Sequence, residues 1–325
     1  MVKSIFKALV VGGTVALSTL AGLAQDAYPN RPIKIVVPQA VASGGDVLAR
    51  LMAERISPKL GQSIVVENRP GANGVIAANM VKNDTSAGYT LLLTGVSVLS
   101  FNQSLYKDLP YKPFTDFAYI APIADTSFVL IASKASGINS LKEFVEKAKK
   151  GAGAVTYGSA GVGNSTHLAS EMIADRIGVK LTHVPYKGST PIYTAMQAGE
   201  VDVSVGIPNS AVPLIKDGRV TALAAMSEQR LPELPNLPTF RELGYDMPIM
   251  PGWYALVGPA NMKPENVAKL NKAVQDFLND PEVGAKLVGM SLIPSPGSPE
   301  QIKTRAMKDA RTWGDLIVKN KIEIQ

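Results

Sequence analysis

Cysteine is absent from the 325 residues. Disulfides, thiol nucleophiles and zinc–thiolate sites are excluded together, as is the cysteine-built anchor of a lipoprotein. Histidine is almost absent too, with His167 and His183 alone. Neither has a second histidine beside it at metal-ligand spacing, so no metal site is expected. Charged residues are only 18 % of the chain, and a formal charge of +6 is dispersed without any block of one sign. That pattern argues against a nucleic-acid partner. Beyond Leu23 no apolar run approaches the roughly 20 residues that span a bilayer. Catalytic motifs are missing as well. Around Ser159 a nucleophile elbow needs glycine two residues earlier, where Tyr157 stands. Counting from Gly161, a dinucleotide loop needs Gly or Ala where Thr166 stands. No phosphate-binding P-loop is present. With no acid–base pair and no cofactor motif, the chain is not expected to be an enzyme or to carry a cofactor.

What the sequence does contain begins with Lys3 and Lys7, followed by an uncharged stretch from Ala8 to Leu23 and small residues at Gly22 and Ala24. This is the layout of a cleaved secretory signal over residues 1–24 and implies export to the periplasm. Beyond it, short β-branched runs read as strands: Ile33–Val37, Ile64–Val66, Thr90–Leu93, Phe128–Ala132, Val155–Tyr157, Leu181–Pro185, Val201–Val205 and Tyr254–Val257. Helix starts are marked between them. Ser140 and Glu143 form a capping box, and Thr190-Pro191, Asp280-Pro281 and Ser298-Pro299 place a cap before proline. Strand–helix alternation predicts α/β architecture with mainly parallel sheets. Two segments read as crossings between lobes: Ile123–Phe128, and the proline-rich tract from Leu231 to Pro251. They predict one lobe from 25–127 with 250–325, and a second from 128–249.

Two Gly/Ser loops each lead from a strand into a helix. The first is Pro38–Asp46, before a helix predicted over Val47–Leu60. The second is Gly158–Thr166, before a helix ending near Gly178. Backbone N–H groups at a helix start, with about half a positive charge behind them, suit an anion. In open α/β sheets ligands sit at the carboxyl ends of strands, where both loops lie. One loop per lobe makes a two-sided cradle, so a small anion is the expected ligand. Tyr186 and Asn209 follow strands of the second lobe, and Thr94 and Ser97 follow one of the first; all four are candidates to face the cleft. Asp46 reads as the cap of its helix, His167 as a residue that packs or bonds within its own, and Trp253 as core beside a crossing. Asn68, Arg69 and Asn73 read as turn and cap residues.

Several segments resemble the Bug-type solute-binding proteins of tripartite tricarboxylate transporter systems. They are Tyr28–Pro38, Gly44–Arg50, Val66–Gly74, Gly88–Leu93, Val184–Gly188, Leu237–Gly244 and Gly252-Trp253, in order along the whole chain after residue 24. The resemblance implies a two-lobed Venus-flytrap fold, type II-like, with a hinge of two crossings that closes over a carboxylated ligand. It implies ligand contacts from Gln39, Ser43, Gly44, Gly45 and Asp46 in the first loop, and from Ser159, Asn164, Ser165 and Thr166 in the second. Membrane permease subunits are the implied partner of a monomeric protein. A subunit that presents its ligand to a membrane kinase is the alternative, with an exported enzyme acting on a small acid behind it. The chain departs from the family where Gln39 replaces an aromatic, and where Val41-Ala42-Ser43 replaces Pro-Gly-Gly.

Overall fold

Apolar β-branched runs flanked by helices produce two separate sheets in the computed structural model, which describes residues 28–247, 252–322 and 324. The signal-like segment 1–24 and Pro248–Pro251 of the proline-rich tract lie outside the described residues. The chain opens with β1 (Ile33–Val37), α1 (Gly44–Leu60), β2 (Ile64–Asn68), α2 (Val75–Lys82) and β3 (Thr90–Gly95). It continues through the one-turn α3 (Asn102–Leu105) into β4 (Phe117–Thr126) and, after Ser127 alone, β5 (Phe128–Ser133). Next come α4 (Leu141–Ala148), β6 (Thr156–Ser159), α5 (Ser165–Ile177), β7 (Thr182–Pro185) and α6 (Ser189–Ala198). Then follow β8 (Val203–Gly206), α7 (Pro208–Lys216) and β9 (Val220–Met226). After the proline-rich tract come β10 (Gly252–Pro259), α8 (Pro264–Leu278), α9 (Pro281–Gly289), β11 (Ile293–Pro294) and α10 (Pro299–Lys319).

The first sheet has strand order β11-β4-β10-β3-β1-β2 and the second β7-β6-β8-β5-β9. Both are mixed, which corrects the expectation of mainly parallel sheets. Parallel pairing is confined to β1 with β2 and β3, and to β6 with β7 and β8. The physical reason lies in the strands that carry the chain between sheets. β4 runs straight into β5, and β10 returns beside both β3 and β4, so β10 pairs antiparallel with each and β5 pairs antiparallel with β8 and β9. The segment Ile123–Thr126 is accordingly strand, with Thr126 opposite Gly252 and Asp125 opposite both Trp253 and Ile293.

Alternation decides which face each strand residue covers. Ile35, Leu91, Leu93 and Leu256 pack with Leu48, Met52 and Ile56 of α1 and Leu270 and Phe277 of α8. On the other face, Val36, Leu92 and Ala255 join a cluster with Phe101, Trp253 and Trp313. This cluster extends to Leu130, Tyr157, Leu168 and Val203 around the second sheet, so the two sheets share one apolar core along α10. Trp253, read as core, is 3 % exposed and donates Nε1–H to Asp309 Oδ2 at 2.7 Å.

Helix starts follow their local chemistry, with two corrections. Ser140 accepts from Glu143 N–H, but the Glu143 carboxylate reaches Asn139 N–H, one residue before the cap. Ser298 and Gln301 form the complete reciprocal box instead. Thr190 caps nothing; α6 starts at Ser189 behind Gly188, so Pro191 falls inside the first turn.

Candidate functional site

The first loop is built around α1, which starts at Gly44, three residues before the predicted Val47. Ser43 is its cap, accepting Asp46 N–H at 3.3 Å. Asp46, expected to be that cap, is instead the third helical residue. It is 2 % exposed, accepts Ala42 N–H at 2.9 Å and is paired with Arg50 through both carboxylate oxygens. Burial alone raises its pKa, but hydrogen bonds from Arg50 and Ala42 outweigh that and hold it below the usual carboxylate range. The charge is thus paired with Arg50 at the start of the helix. Ala42 adopts φ 63°, left-handed backbone where the family pattern has glycine.

Gln39 folds over the start of the helix. Its Oε1 accepts Gly45 N–H at 2.9 Å, and Asn68 Nδ2 holds its carbonyl at 3.0 Å. A Cβ on Gly45 would lie 2.5 Å from Gln39 Oε1, so glycine is required for that approach. Ala42, Ser43, Gly45, Asp46 and Val47 all have their N–H groups engaged within the loop. Among the described residues Gly44 N–H, the first of the helix, has no such partner.

Gly44 is also where the loop meets the other half of the molecule. A Cβ placed on it would lie 3.4 Å from Tyr254 Oη and 3.7 Å from Asn209 Nδ2. Asn209 is the second residue of α7, beyond β8 of the second sheet. Tyr254 comes from β10, where Trp253 turns to the shared core and Tyr254 to the α1 side. Burial pushes the Tyr254 hydroxyl up, so it remains a protonated donor. An N–H, a phenol O–H and a primary amide thus converge on one small gap. Tyr254 escaped the sequence reading; alternation from the apolar Trp253 was the signal that would have found it.

The second loop is held more tightly than free N–H groups would imply. Asn164 caps α5, accepting Thr166 N–H at 3.0 Å. Thr166 Oγ1 accepts Ala160 N–H at 2.9 Å. Gly163 N–H goes to His167 Nδ1 at 3.0 Å, and Asn164 N–H to Gly161 O at 3.2 Å. Ser159 is fully buried with Oγ 2.6 Å from His183 Nε2. Val162 and Ser165 N–H have no such partner among the described residues.

The remaining candidates are dispersed. The Tyr186 ring packs on Gly158 beside Ile192. Thr94 is 2 % exposed with no partner for its hydroxyl. It lies opposite Ala255, hence on the face away from Tyr254. Ser97 opens a π-helical turn, Ser97–Phe101, after β3. Asn73, with φ 49°, donates to Asn102 Oδ1 at 2.8 Å instead of capping a helix. Arg69 pairs with Glu67. No described helix is long and apolar enough to cross a membrane.

Residues 48–322 match the profile of the family described as "Tripartite tricarboxylate transporter family receptor". Protein BugT of Bordetella pertussis is 29 % identical over 310 residues, covering 95 % of each chain. Among solved structures, Rpa4515 of R. palustris with adipate superposes with a TM-score of 0.83 at 31 % identity, covering 91 % of this chain and all of that one. MatC from Rhodopseudomonas palustris with bound malate gives a TM-score of 0.80 at 28 % identity, covering 89 % of this chain and 100 % of that one.

Proposed function

The chain belongs to the tripartite tricarboxylate transporter receptor family and has its two-lobed periplasmic-binding-protein fold, and from that premise we propose that it captures a small carboxylate between its lobes for a transporter of that type. The observation that carries this reading is the gap at Gly44. A helix start with an unengaged N–H lies beside Tyr254 Oη of its own sheet and Asn209 Nδ2 of α7, beyond the second sheet. These groups donate to a carboxylate oxygen without placing a cation beside it, and the helix start adds favourable charge.

Relatives of this fold hold adipate and malate, so dicarboxylates of four to six carbons are the first candidates. Gln39 and Ser43 shape the site from beneath, through Gly45 and Asp46 N–H respectively. Asn164, Ser165 and Thr166 bring the start of α5 to the same cleft, with Ser97 and Tyr186 at its margins. The lobes divide at Ser127 and near residue 250, and closure about these two crossings encloses the acid. Residues 1–24 direct export and are removed, and the permease subunits take the acid from the closed, monomeric form. The protein binds its acid and returns it chemically unchanged.

Mass spectrometry of small molecules released from the purified protein, followed by a thermal-shift screen of organic acids, tests this reading. A carboxylate found by both methods, and recovered intact after long incubation, supports it, since a ligand of the folded form raises the midpoint. No stabilising acid in a screen that includes adipate and malate would reject it.

A further inference from the structure

The second loop turns on two glycines. Gly161 (φ 133°) and Gly163 (φ 71°) both adopt backbone that other residues avoid. Behind it stand the chain's two histidines, which nothing in the capture reading uses. His167, 5 % exposed, accepts Gly163 N–H on Nδ1 at 3.0 Å. His183, from the edge strand β7, meets Ser159 Oγ through Nε2 at 2.6 Å. The two imidazoles stack with centroids 4.0 Å apart and planes 9° from parallel, and Tyr157 lies parallel to His183 at 4.8 Å.

Geometry fixes one tautomer. A backbone N–H only donates, so His167 Nδ1 carries no proton and the ring's hydrogen is on Nε2. Protonating Nδ1 would set N–H against N–H and release the loop. Neither carboxylate of α5 that follows His167 is hydrogen-bonded to an imidazole. Glu171 of α5 accepts from Tyr157 Oη at 2.5 Å and from Asn320 at 3.4 Å, while Asp175 is paired with Lys319 of α10. Burial, then the neighbouring imidazole, pushes His167 down to about 3, and burial pushes His183 down to about 4.

We propose that His167 and His183 are positioning residues for ligand capture, a neutral stacked pair that holds Ser159 to Thr166 in the shape that turns the start of α5 toward the acid. This rests on the carboxylate-capture reading, and the test separates the two. Long-range proton–nitrogen NMR of the full chain without added acid should show His167 as the Nε2–H tautomer and both rings neutral at pH 5. A His167 ring protonated on Nδ1, or either ring titrating near the ordinary value of about 6.5, overturns the proposal. Adipate is the binding probe, read by calorimetry. His167→Leu, which has no acceptor, should weaken adipate by about tenfold or more, and His167→Asn, with Oδ1 near the place of Nδ1, should recover most of it. Equal affinity for wild type and folded His167→Leu overturns the proposal. Should His167→Leu not fold, His183→Phe and His183→Gln decide in the same way. The phenylalanine offers Ser159 nothing and should lose affinity, the glutamine amide reaches it and should restore it, and equal affinity overturns the proposal. A wild-type protein that takes no adipate counts against that acid in the capture reading, and the tautomer measurement then decides the positioning claim alone.

Discussion

Replacing Gly44 by alanine places a methyl group in the gap where we locate the acid while barely touching the fold. The new Cβ would sit 3.4 Å from Tyr254 Oη and 3.7 Å from Asn209 Nδ2, ordinary contact distances that demand no rearrangement. Gly44 is the first residue of α1, where alanine is the better helix former by at most about 1 kcal/mol. Stability should therefore hold or rise slightly, by no more than a few degrees in melting temperature. Binding should suffer, because a ligand oxygen must approach Gly44 N–H through the space the methyl takes. Losing one hydrogen bond to a charged group costs roughly 1.5–3 kcal/mol, which is about a ten- to hundredfold loss of affinity. Calorimetry with the acid identified by mass spectrometry, alongside thermal melting, measures both quantities. A variant that melts like wild type and binds equally well would refute the placement of the ligand at Gly44. A variant that loses several degrees would show instead that the gap is packed shut.

Three further outcomes follow from the same geometry. Ser43→Ala removes the cap of α1 and should cost about 1 kcal/mol of stability, seen as a melting temperature lowered by a few degrees; an unchanged midpoint would mean that the Asp46 N–H bond contributes nothing. Ala42→Gly relieves left-handed backbone at φ 63°, worth roughly 1–2 kcal/mol for a residue with a Cβ, against up to about 1 kcal/mol of added chain entropy. Its midpoint in denaturant should stay level or rise, and a clear drop would contradict this. For pH the sign is set by His167 and His183, whose folded values of about 3 and about 4 lie below the ordinary 6.5. The neutral rings stabilise the fold fully above about pH 6.5, and that contribution fades as pH falls toward 4. Melting temperature should drop between pH 7 and 5, less so in His167→Asn, and parallel curves for the two would be the contrary result.

Much of the fold was legible because its strands are β-branched runs at regular intervals, as in Ile33–Val37 and Phe128–Ser133. What escaped has identifiable causes. The strand Phe117–Thr126 carries Pro122 and Asp125, which read as breakers, yet Pro122 lies where the β4–β10 register shifts. Val220–Met226 holds three alanines of low strand propensity, and it forms the edge strand beside β5 with Leu223, Ala224, Ala225 and Met226 buried. The proline-rich tract marked a return to the first lobe, but the place of β10 between β3 and β4 is a long-range pairing with no local signal. At the site, both Gly/Ser loops were visible from composition. Their internal hydrogen bonds were not, since Gln39 reaching Gly45 and His183 reaching Ser159 depend on side-chain direction across gaps in sequence. The approach of Asn209 to Gly44 depends on how two sheets face each other, which periodicity does not encode.

The central claim is that neutral donors at a helix start, here Gly44 N–H with Tyr254 and Asn209, hold a carboxylate. Calorimetry comparing the identified acid with its neutral amide, at low salt and at about 0.5 M NaCl, tests it most directly. The acid should bind one per chain at both salt concentrations with affinity changing only a few-fold, because short desolvated contacts are less screened than exposed ion pairs. The amide should show no heat of binding. An amide that binds as well as the acid, or a hundredfold loss with salt, would contradict the account and point to an arginine or lysine outside both loops.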